Sequence, residues 1–95
     1  MPKLSEPEIA GRMVAAKGWE RLGDMLVRSW QFPSSRRSLE FVNQVAALAE
    51  RLGHHPDIIL SNRAVRLELA TRADGGLTEA DFGLAAEIDA LPVDR

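Results

Sequence analysis

Residues 35–56 read SRRSLEFVNQVAALAERLGHHP, and this stretch decides the fold. Phe41, Val45, Leu48 and Leu52 recur at i, i+4, i+7 and i+11, and Leu39, Val42, Ala46 and Ala49 widen the apolar stripe. That spacing predicts a long amphipathic helix over Ser35–Leu52 that supplies the centre of the core. Pro33 breaks whatever precedes it, and Ser34 and Ser35 offer hydroxyl caps for the first turn. Gly53 stands where a left-handed residue closes a helix, so the chain turns at once into His54-His55-Pro56.

Upstream, the period changes from 3.6 to two. Leu26, Arg28, Trp30 and Phe32 alternate along one face, and Gly23-Asp24 separates them from Trp19 and Leu22, which predicts a hairpin. The chain begins with a helix from about Ser5 to Ala16. Ser5 and Glu8 form a capping box, Leu4 and Ile9 a hydrophobic staple, and Ile9, Met13 and Ala16 a stripe that Gly18 terminates.

Downstream, the pattern repeats. Asp57–Leu60 reads as a short apolar strand, Ser61-Asn62-Arg63 as a turn, and Ala64–Thr71 as a longer strand with Val65, Leu67 and Leu69 facing away from Arg66 and Glu68. Asp74-Gly75-Gly76 is turn chemistry. Leu77, Thr78, Asp81 and Phe82 then repeat the staple and cap at the start of a last helix, which runs to Leu91 before Pro92. The order is α-β-β-α-β-β-α over residues 1–95, one domain. Two hairpins separated by a single long helix predict an α+β fold, a four-stranded antiparallel sheet with three helices on one face.

Composition removes several classes of function. The 95 residues contain no cysteine, which excludes disulfides, a thiolate nucleophile and cysteine-ligated zinc. A formal net charge of -2 gives no electrostatic basis for direct nucleic-acid binding. No apolar run approaches the ~20 residues of a membrane span, and the opening MPKLSEPEIAGRM lacks the apolar stretch of a signal peptide, so a cytoplasmic location is expected.

His54 and His55 are the two groups whose ordinary pKa lies near neutrality. Two readings of them stand at this level. They are an acid–base pair, or they complement the dipole and last carbonyls of the helix they follow. A metal site is not expected, because adjacent side chains seldom chelate one ion and no third ligand stands at a zinc-site spacing.

The run Phe41–Pro56, followed by Leu67-Glu68-Leu69-Ala70-Thr71 and by Gly75-Gly76-Leu77-Thr78-Glu79-Ala80-Asp81-Phe82, resembles the pterin-4a-carbinolamine dehydratase family from about Gly18 to Leu91. Its most specific part is an acidic residue, three spacers and His-His-Pro, here Glu50 through Pro56. The resemblance implies a four-stranded antiparallel sheet with three helices on one face. It also implies dehydration of 4a-hydroxytetrahydropterin, with His54 and His55 catalytic and Glu50, Pro56, Thr71, Arg72 and Asp81 contacting substrate. No metal or resident cofactor is implied, since the pterin is the substrate.

The chain departs from the family at two places in that site. A third catalytic histidine follows the threonine of the second strand in the family, and here the position is Arg72, which stays protonated and cannot shuttle a proton. Aromatics and an asparagine after His-His-Pro are replaced by Asp57-Ile58-Ile59-Leu60. The expectation is therefore a dehydratase-like protein, weak or non-catalytic, that binds a protein client. Within the family one branch is a dimerisation cofactor of a transcription factor, and another resembles a Rubisco assembly factor of α-carboxysomes. The alternative is a working dehydratase. Expected partners are a second copy in a dimer or tetramer, Rubisco or another client, and a pterin.

Overall fold

The computed structural model describes residues 2–92. Its elements run α1 (Glu6–Ala15), β1 (Glu20–Leu22), β2 (Met25–Gln31), α2 (Ser35–Leu52), β3 (Asp57–Ser61), β4 (Ala64–Leu69), a single 3-10 turn (Arg72–Asp74) and α3 (Glu79–Asp89). All three strand pairings are antiparallel, in the order β1-β2-β4-β3. The expected α+β architecture is the one observed.

Each helix starts where the sequence places its cap. Ser5 and Glu8 exchange both bonds of a capping box, Ser34 accepts from the Arg37 amide, and Thr78 and Asp81 form a second box at α3. The β2–β4 register puts Leu26 beside Leu69, Arg28 beside Leu67 and Trp30 beside Val65. One face of the sheet is therefore apolar apart from Arg28 and, on edge strand β1, Arg21 opposite Leu26, and the helices cover it.

Phe41 of α2 joins helix to sheet. Its ring lies 4.7 Å from Trp30 and 5.2 Å from Phe32, and Trp30 meets Trp19 edge-on at 5.8 Å. Ser38, fully buried one turn earlier, lies 2.6 Å from the Asn62 carbonyl and 2.8 Å from the Ser35 carbonyl, which ties α2 to the β3–β4 turn. Arg28 on the inner face is neutralised by Asp89 at 3.0 Å, stacks 5.1 Å from the Trp30 ring, and donates to the Lys17 carbonyl. Gly18 is required beside it. Its φ is +89°, and a β-carbon there would stand 2.7 Å from the guanidinium.

The apolar stripe of α2 is narrower than the sequence implies. The buried positions are Ser38, Phe41, Val45, Leu48 and Ala49, whereas Leu39 is 49% and Leu52 42% exposed. Leu39 lies about 120° round the helix from Val45. Leu52 is on the inner side, but an 18-residue helix of about 27 Å overruns a six-residue strand of about 20 Å. Three further bounds shift: β4 ends at Leu69 and not Thr71, β3 gains Ser61, and α3 ends at Asp89. Thr71 lies beyond the last ladder pairs, Leu26–Leu69 and Asp57–Glu68, and its hydroxyl bonds to Asp81 of α3.

Phe41→Ala should lower unfolding free energy by about 3–5 kcal/mol, because a fully buried ring on which two others rest leaves a cavity. Leu39→Ala should stay within about 0.5 kcal/mol. Urea denaturation of both variants checks the difference.

Candidate functional site

Gly53, at φ +67°, closes α2, and the amides of both Gly53 and His54 return to the Ala49 carbonyl. That closure reverses the backbone within one residue. It delivers the His54 ring to the first turn of α3, where Nε2 stands 2.7 Å from Asp81 Oδ1. The His54 side chain is 19% exposed and that of Asp81 is fully buried.

Asp81 is the acidic member of the α3 capping box, and its second oxygen accepts from the Thr78 amide at 3.0 Å and the Thr71 hydroxyl at 2.8 Å. The Thr71 and Thr78 hydroxyls are 3.0 Å apart. A carboxylate withdrawn from water is tolerable only when its lone pairs are met, and here two donors meet Oδ2 while the His54 ring faces Oδ1. The end of α2, the exit of β4 and the start of α3 are thus fastened at one buried point.

His55 goes the other way. Its Nε2 is 3.1 Å from Glu50 Oε2 on the surface. Arg72, on the 3-10 turn just after Thr71, reaches back to the start of β3, where Nη2 donates to Asp57 Oδ2 at 2.6 Å. That bond and the Asp57 charge push the guanidinium pKa further up, so it is a permanent cation. The predicted residues are therefore gathered at one end of the sheet in three groups: His54 with Asp81 and Thr71, His55 with Glu50, and Arg72 with Asp57, which the sequence did not single out. Pro56 is buried between the last two pairs along the chain.

Two positions that matter here carried other readings in the sequence. Asp57 read as the start of a strand and Thr78 as a cap. The signal for Asp57 is a lone carboxylate on an apolar strand, unexplained by the strand itself. Among the described residues no cluster of three or more His, Asp or Glu could hold a metal ion, and no helix is long and apolar enough to cross a membrane. The cavity of about 280 Å³ between α1 and α3 and the one of about 300 Å³ on the open sheet face are lined by other residues.

The sequence model for pterin 4 alpha carbinolamine dehydratase matches residues 2–91. The chain belongs to this family. A relative from Chloroflexus aurantiacus, provisionally named a pterin-4-alpha-carbinolamine dehydratase, is 45% identical over 91 residues, covering 96% of this chain and 98% of its own. A Mycobacterium tuberculosis relative with the same provisional name is 38% identical over 91 residues, 96% of this chain and 97% of its own. Among solved structures, a transcriptional coactivator/pterin dehydratase from Brucella melitensis superposes with a TM-score of 0.88 at 31% identity, covering 93% of this chain and 96% of that one. A pterin dehydratase-like protein identified as a RuBisCO assembly factor in the alpha-carboxysome superposes at 0.64 and 30% identity, covering 76% of this chain and 83% of that one.

Within this family member, the buried cluster should respond to small changes that the surface pairs tolerate. Thr71→Val removes a hydroxyl donor to a buried carboxylate and should cost about 1–3 kcal/mol. Arg72→Ala should leave the unfolding midpoint nearly unchanged, because an exposed ion pair contributes little. Thermal unfolding of the two variants side by side tests the contrast.

Proposed function

We propose that this chain binds a 4a-hydroxytetrahydropterin and dehydrates it slowly, with His54 as the acid–base group and Arg72 as a fixed cation where the family has its third histidine. The observation that carries this reading is the buried His54–Asp81 pair. A capping box needs only the amides and side chains of Thr78 and Asp81 themselves, so the imidazole at 2.7 Å is an addition that helix capping does not require. Dehydration removes hydroxide from C4a and a proton from N5, leaving quinonoid dihydropterin and water. An imidazole that gains and loses a proton near neutrality suits both transfers. Arg72 can hold an electron-rich edge of the substrate but takes no part in proton transfer.

The second reading is a protein-binding assembly factor. It is favoured by the likeness to the RuBisCO assembly factor and by the loss of one proton-transferring group at Arg72. The first reading stands ahead because the relatives named as dehydratases match along nearly the whole chain. In either case β1 and β3 are sheet edges, and pairing with a second copy would cover them. Sedimentation at micromolar concentration should show a dimer or tetramer, and a monomer would refute that part.

Arg72→His should raise the rate of 4a-hydroxytetrahydropterin dehydration by about 10²–10⁴-fold, the ordinary worth of one positioned acid–base group. His54→Ala should abolish the residual rate. If neither the natural chain nor Arg72→His turns over substrate, the catalytic reading fails, and binding to purified Rubisco becomes the measurement that tests the second.

A further inference from the structure

At neutral pH a carboxylate only accepts hydrogen bonds, and a backbone amide only donates. Those two facts orient the protons in the cluster between α2 and α3. The Thr78 amide and the Thr71 hydroxyl both donate to Asp81 Oδ2. Thr71 has one proton and gives it to Asp81, so its oxygen accepts from the Thr78 hydroxyl, whose own oxygen accepts from the Ala80 amide at 3.2 Å. The donors run in one direction and end on Asp81. Its other oxygen, Oδ1, has no proton to offer His54, so the proton between them belongs to Nε2.

We infer that Asp81 is a positioning residue: it fixes His54 as the Nε2–H tautomer and so makes Nδ1 the ring atom that exchanges protons with a bound ligand. The inference rests on the dehydratase reading only for the identity of that ligand. Nε2 is already protonated in the neutral ring, so the second proton of the imidazolium enters at Nδ1. The same atom thus serves as base when empty and as acid when filled. Asp81 itself is fully buried with both oxygens occupied, and it acts through the ring it holds.

The same logic predicts what an isosteric change does. In Asp81→Asn the position facing the Thr78 amide must remain an acceptor, since that amide cannot accept. The asparagine oxygen therefore takes the Oδ2 place and its NH₂ turns to His54. Nε2 must then present a lone pair, and the ring proton moves to Nδ1.

Nitrogen-15 NMR of the His54 ring, above its titration, reads this directly. The natural chain should show Nε2 protonated and Nδ1 bare, and Asp81→Asn should show the reverse. An Nδ1–H tautomer in the natural chain overturns the inference, as does a folded Asp81→Asn that keeps Nε2–H. Should that variant fail to fold, coupling across the hydrogen bond from Nε2–H to the Asp81 carboxyl carbon in the natural chain decides, and its absence overturns the inference. Adding a reduced pterin separates this from the catalytic reading. If the tautomers behave as stated but the pterin moves no His54 resonance and no dehydration is measured, the positioning role stands and the dehydratase reading falls.

Discussion

The structure turns on one buried carboxylate. Asp81 bonds to the N-cap of α3, to Thr71 two residues beyond β4, and to His54 two residues beyond α2. Leaving such a charge unmet in the interior costs several kcal/mol, so the three segments cannot shift independently. A slip of α3 by one residue would swing Asp81 about 100° away from Thr71 and His54, its two partners outside the helix. The point that fixes how α3 sits against α2 and the sheet is therefore also the point that aims His54. Fold and candidate site share a single constraint.

Much of this was legible because the signals are local. A capping box, a left-handed glycine and a period of two each report on a few adjacent residues, and the capping boxes of α1 and α3 and the end of α2 at Gly53 agree with them. What was not legible depends on the third dimension. Leu52 has the right phase for the core and is exposed because the helix outruns the strand beneath it. Arg28 has the right phase too, and its tolerance inside depends on Asp89, sixty-one residues away. Ser38 has no part in the apolar pattern and is buried with its hydroxyl donating to the β3–β4 turn.

The histidines show the same limit within the site. In the sequence they are one adjacent pair with two open readings. The structure separates them, one held by a buried carboxylate and one on the surface beside Glu50, because the two side chains leave a reversing backbone in different directions. Adjacent residues share a position in the chain but not a neighbourhood. The Glu50, His54, His55, Pro56 pattern lies with Thr71, Arg72 and Asp81 at one end of the sheet, while Asp57 and Thr78 carried only strand and cap readings in the sequence.

The resulting site has two halves with different physics. The His54–Asp81–Thr71–Thr78 cluster is withdrawn from solvent, so its geometry is insensitive to salt and rigidly set by the packing of three elements. The Arg72–Asp57 pair is 76% and 48% exposed, so it is screened, and the guanidinium can leave its carboxylate for a better anionic partner at small cost. On the proposed dehydratase reading, a histidine at that position would join His54 in proton transfer. An arginine instead offers a charge that is always present and a forked donor set that is loosely held. On the proposed dehydratase reading, Arg72 trades a proton-transferring group for a fixed cation, and its pairing with Asp57 lies outside the buried cluster around Asp81.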